Sequence, residues 1–209
     1  MKRLLVAGWL IATIACSKPA APPIADTPPD AAVQAPGGSE AGIVAGRIEG
    51  GVNATTVVVL ESKTPRTFPP SIDKPMMDQV QVTFIPDLLL VRTGQQVEFH
   101  NSDDTLHNVH VTHEETRTPA FNVAIPTGGS YEYTFDRDGF YHVGCDIHTE
   151  MSASIFSWSS PYAVLAETDG RFTFGDVPAG AWTVTVYAGA RRLTQSIEVH
   201  RGLTEVTIR

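Results

Sequence analysis

The chain has 209 residues, with 15 Lys and Arg against 23 Asp and Glu, a formal net charge of −8. An acidic balance argues against nucleic acid as a partner and favours steering toward basic surfaces. Beyond its first 42 positions the chain keeps about 165 residues, enough for one or two hydrophobic cores.

In chain order, Met1-Lys2-Arg3 and the apolar run from Leu4 to Ala15 come first. This is a basic start followed by an apolar stretch too short to span a bilayer as a helix. Residues 1–16, ending Thr13-Ile14-Ala15-Cys16, resemble a bacterial lipoprotein signal. The resemblance implies cleavage before Cys16 and lipidation of that residue, although Thr13 stands where an aliphatic residue is usual. Ordinary secretion with cleavage near Ala15 is the alternative. Ser17 after the cysteine fits sorting to the outer membrane. Without residues 1–15 the balance becomes 13 basic against 23 acidic, a net −10.

Residues 17–42 are rich in Pro and Ala without an apolar period, as in Ser17-Lys18-Pro19-Ala20-Ala21-Pro22-Pro23. Such composition cannot bury a core and reads as a disordered linker. At about 3.1 Å per residue it would reach roughly 80 Å if fully extended as polyproline.

The remainder reads as all-β. Runs at 55–60, 80–84, 131–135 and 182–187 are β-branched or aromatic, alternate with polar residues, and are bounded by Gly, Pro and Asp. No amphipathic helix is evident after the signal segment.

Candidate chemistry concentrates in Cys145-Asp146-Ile147-His148-Thr149-Glu150-Met151, spaced C-x2-H-x2-M. The strand-like run 139–144 leads into it, so Cys145, His148 and Met151 share one loop. His107 has to come from a neighbouring strand. Two imidazoles, a thiolate and a thioether are the donor set of a mononuclear blue copper site. Soft sulfur suits Cu(I) and imidazole suits both oxidation states. Zinc sites favour more Cys or His and rarely use Met. Met151 could instead be ordinary core, since Met fills gaps.

Other residues have plainer readings. On a period-2 strand His110 points away from the face of His107, whereas His113 shares that face but lies far along. Both read as solvent-facing. His100 and His142 face outward or pack, and His200 carries no signal. Asn108 is either a turn residue or a group that orients ligands. The H-x2-H of His110 and His113 is not the paired H-x-H of multicopper oxidases, so an enzyme is not expected.

At these residues the chain resembles the bacterial cupredoxins, relatives of plastocyanin, amicyanin and pseudoazurin. Phe84-Ile85-Pro86 and Thr93-Gly94-Gln95-Gln96-Val97-Glu98-Phe99-His100-Asn101 look like the strand pair before the first His ligand. Phe135-Asp136-Arg137-Asp138-Gly139-Phe140-Tyr141 looks like the turn and strand before the Cys. The likeness covers residues 78–157, and the short loop has amicyanin-like spacing. It implies a Greek-key β-sandwich with one type 1 copper ion on His107, Cys145, His148 and Met151. It also implies that Asn108 ties the ligand loops together, its backbone N–H directed at the Cys sulfur. Ile147 would contribute to an apolar rim near an exposed imidazole edge.

A second likeness covers the C-terminus. Thr168-Asp169-Gly170-Arg171-Phe172-Thr173-Phe174-Gly175-Asp176-Val177-Pro178-Ala179-Gly180 is similar to carboxypeptidase regulatory-like domains, small transthyretin-like β-sandwiches. Residues 160–209 would form most of that sandwich and residues 43–62 its first strands. The cupredoxin would then be inserted into, or flanked by, a split sandwich. The alternative is that residues 55–61 form the first cupredoxin strand.

The functional expectation is a periplasmic blue copper protein, lipid-anchored to the outer membrane or secreted in soluble form. It would pass single electrons between unidentified redox proteins. Copper storage without redox shuttling, or a structural module with a vestigial site, are the alternatives.

Overall fold

The computed structural model describes residues 41–209, so Cys16, the signal segment and nearly all of the linker lie outside the described residues. The linker's expected end at 42 overlaps the first strand, β1 (Ala41–Ile48). All regular elements among the described residues are strands. They continue as β2 (Val57–Ser62), β3 (Met76–Gln79), β4 (Phe84–Ile85), β5 (Leu88–Arg92) and β6 (Gln96–Asn101). Next come β7 (His107–His113), β8 (Pro119–Ile125), β9 (Ser130–Thr134), β10 (Gly139–Gly144) and β11 (Ser152–Trp158). The last are β12 (Ala163–Leu165), β13 (Arg171–Pro178), β14 (Gly180–Ala188), β15 (Arg191–Val199) and β16 (Gly202–Ile208).

Four sheets form two sandwiches. In the first, the order β4-β3-β6-β9 faces β5-β11-β10-β7-β8. Alternate residues of these strands point inward, as the two-residue period requires. They meet in a core that includes Met77, Val97, Phe99, Val109, Val111, Tyr141, Val143 and Ile155. In the second, β13-β1-β16 packs over β12-β2-β14-β15. Its core includes Val44, Leu60, Phe172, Phe174, Trp182, Val184 and Ile208. Strands β3 to β11 thus fall in the chain between β2 and β12, so the second sandwich is built from both ends of the described chain.

Strand β2 joins the two. Val57, Val58, Val59 and Leu60 are all fully buried, a continuous apolar run of the kind found where both faces are covered. Val58 and Leu60 enter the second core. Val57 and Val59 point the other way and pack with Leu88 and Phe156 of the first sandwich. Tyr187 and Phe140 extend that contact, with ring centroids 5.7 Å apart. Residues 57–62 therefore belong to the second sandwich, hydrogen-bonded to β14 and β12.

The run 80–84, expected as one strand, is a hairpin turn between β3 and β4. Val80 and Thr83 exchange backbone hydrogen bonds at 2.9 and 3.1 Å. Gln81 and Val82 have φ of 52° and 58°, the left-handed conformation that two-residue hairpins demand. A β-branched residue seldom adopts it. Here the Asp103 carboxylate accepts both the Gln81 and Val82 amides. That clamp overrides the β-propensity of the run.

Candidate metal centre

His107 opens β7 and Cys145 follows directly on β10, its antiparallel neighbour. That pairing brings two residues 38 positions apart into one place. His148 returns from the loop after Cys145, where the Met151 amide donates to the His148 carbonyl at 3.0 Å. Cys145 Sγ lies 3.9 Å from both His107 Nδ1 and His148 Nδ1, and the two nitrogens are 2.9 Å apart. A point equidistant from the three atoms is about 2.1 Å from each, close to a metal–imidazole bond length. His107 and Cys145 are buried and His148 is half-buried. Met151 is also buried, in the same apolar cluster as Cys145.

His107 is oriented from behind. Its Nε2 lies 2.8 Å from Asp103 Oδ2, so Nε2–H donates and Nδ1 keeps its lone pair for the centre. The amide of Val82 holds the Asp103 carboxyl below the usual carboxylate range, helped by His107 and the Gln81 amide. Asp103 thus does two jobs, closing the 80–83 turn and fixing the tautomer of His107. The sequence pattern did not reveal it. An acidic residue four positions before a candidate ligand was the available signal.

Asn108 ties the two ligand segments together. Its Oδ1 accepts the Asp146 amide at 2.7 Å and lies 3.3 Å from Cys145 Sγ. Its Nδ2 donates to Asn122 Oδ1 at 2.8 Å and to Asp146 Oδ2 at 3.1 Å. Asp146 was also unforeseen. Its carboxyl is held below the ordinary value, first by His110 and then by Asn122.

The remaining histidines separate by strand parity. His110 is half-exposed on the outer face, His142 is exposed and His100 is half-buried. His113, expected to face solvent, is buried at 3 % exposure. Parity with His107 turns it inward, where its ring packs edge-on against Tyr141 at 4.8 Å. Its Nε2 donates to the Asp138 carbonyl at 3.1 Å and its Nδ1 accepts the Thr116 amide at 3.2 Å. Leu106 and Ile147, chain neighbours of His107 and His148, are 48 % and 50 % exposed.

Fold and site together define a mononuclear metal-binding β-sandwich with a His-Cys-His donor triangle. Residues 73–156 match the family of copper binding proteins, plastocyanin/azurin family, and this segment of the chain is a cupredoxin. No curated relative matches the chain. Similar solved structures include amicyanin from Paracoccus versutus, at 17 % identity over 48 % of this chain and 96 % of that one, TM-score 0.37. A purple cupredoxin from Nitrosopumilus maritimus is similar at 19 % identity over 40 % of this chain and 99 % of that one, TM-score 0.36. A reduced amicyanin mutant is similar at 18 % identity over 47 % and 98 %, TM-score 0.38. The cofactor of this family is copper. The donor set fits it, since thiolate and imidazole are ligands copper accepts and their three atoms surround a point about 2.1 Å from each.

Proposed function

We propose that the protein is a type 1 blue copper protein that carries single electrons, with His107, Cys145, His148 and Met151 as its ligands. The supporting observation is the convergence of His107 Nδ1, Cys145 Sγ and His148 Nδ1 within 3.9 Å of one another. Bound copper would supply a one-electron couple stabilised by thiolate and imidazole. Cys145 would bind as the thiolate, releasing its proton. Asp103 holds His107 in the required tautomer. Asn108 holds the Cys145 segment against the His107 strand. A donor triangle braced in this way suits electron transfer, because little rearrangement need accompany the change of charge.

In this reading Leu106 and Ile147 form an apolar rim where a redox partner would dock near His148. The partners are a donor and an acceptor protein, and the place is the periplasm, with Cys16 as a lipid anchor. The second sandwich, read as a carboxypeptidase regulatory-like module, would support the cupredoxin or dock it.

The test is the visible and EPR spectrum of the copper-loaded protein. An intense thiolate-to-copper band is expected, and Cys145→Ser should abolish it. Colour retained in that variant contradicts the assignment. A colourless Cu(I) form that resists oxidation would replace shuttling with storage.

A further inference from the structure

His110 and His142 stand outside the centre just described, yet the sheet places them together. In the β7–β10 ladder His110 pairs with Gly144, and His142 pairs with Thr112. Side chains of directly opposed residues share a face, as do residues two apart on one strand. His110 and His142 are therefore diagonal neighbours on the outer face, opposite to the face of His107. Diagonal positions lie within reach of long side chains.

Gly144 keeps the space between them open. A Cβ built on Gly144 would lie 3.3 Å from His142 Nε2, so the His142 ring extends over the glycine that faces His110. Both imidazoles line one cleft of about 400 Å³, together with Asp146 and Thr112. His110 Nδ1 lies 3.0 Å from Asp146 Oδ1. Asp146 is itself anchored by Asn122 Nδ2 at 2.8 Å and Asn108 Nδ2 at 3.1 Å. With Nδ1 committed to a carboxylate, Nε2 of His110 is the nitrogen left for a ligand. A carboxylate that holds the far nitrogen of a histidine is the usual support of a metal-ligating imidazole.

We propose that His110 and His142 form a second, surface site for a divalent transition cation of the zinc or copper(II) class, with Asp146 as the residue that positions His110. Two imidazoles suit zinc, copper and nickel, whereas magnesium and calcium prefer oxygen donors. Water fills the remaining positions, so the site is open and its ion exchangeable. The cleft also reaches Cys145 and Met151.

The probe is Zn²⁺ alone, followed by calorimetry and equilibrium dialysis in two backgrounds. One is the copper-loaded protein, in which the main centre is filled. The other is the full chain carrying Cys145→Ala, which removes the main centre's thiolate whether or not that centre takes copper. About one zinc should be retained in both. His110→Gln and His142→Gln should each weaken zinc about tenfold or more while leaving the visible copper band unchanged, and Asp146→Asn should weaken it about tenfold. Zinc retained in neither background would overturn the proposal. Zinc affinity insensitive to both histidine variants would overturn it equally. Failure to load copper would count against the electron carrier, and the Cys145→Ala arm would still decide this site.

Discussion

Asn108 offers the most direct test of how the ligand segments are held. Asn108→Ala removes an acceptor from the Asp146 amide at 2.7 Å and a neighbour of Cys145 Sγ at 3.3 Å. It also removes the donor to Asn122 and to the Asp146 carboxylate. These bonds are not equal. The carboxylate and Asn122 are exposed, so water replaces their lost partner at little cost. The Asp146 amide lies at the junction and loses its acceptor, an orphaned donor costing about 1–3 kcal/mol. The total should be about 2–3 kcal/mol. Urea unfolding of the copper-free protein, read by linear extrapolation, measures it without contribution from the metal. Asn122→Ala is the control, expected within about 0.5 kcal/mol of the parent as a surface change. Copper affinity should fall about 10- to 100-fold in Asn108→Ala, the usual cost of losing a group that orients ligands. A loss below about 1 kcal/mol, or one equal to that of Asn122→Ala, would refute the claim that this side chain braces the site.

Two further outcomes follow from packing and burial. A Cβ at Gly46 would come within 2.2 Å of Phe172 Cζ and 2.7 Å of Val206 Cγ1, both in the second core; Gly46→Ala should cost about 1–3 kcal/mol in urea, and a neutral result would mean this core is loosely packed. Burial, reinforced by Asp136, pushes the Tyr141 phenol from 10.0 up to about 12. The native state thus keeps that proton longer than the unfolded chain, so the contribution is complete below the unfolded value and declines as pH rises through the folded one. Stability should fall between pH 10 and about 12, and Tyr141→Phe should flatten that part of the profile.

Much of the centre was legible because metal chemistry constrains residue type and local spacing. Cys145, His148 and Met151 share one loop, so their association needed no knowledge of the fold. His107 was assigned through the likeness of residues 84–101 to the cupredoxin strand pair that precedes the first His, and the β7–β10 pairing brings it to Cys145. Asp103 was missed because its partners are the amides of a turn that the sequence presents as a strand. Val80-Gln81-Val82-Thr83 has no Gly or Asn to announce a hairpin, and only a carboxylate from another segment makes it one. His113 was misplaced because parity names a face but not what covers it. Tyr141 and the 113–118 turn supply that cover.

Residue chemistry and strand periodicity by themselves determined an all-β chain with a sulfur-and-imidazole site near Cys145. Only the tertiary structure decided which face of β2 meets which sandwich, which carboxylate holds His107, and that His110 and His142 share a cleft. The reason is cross-strand register. A two-residue period specifies which side of a strand each residue takes, but its neighbours across the ladder depend on pairings between segments far apart in the chain.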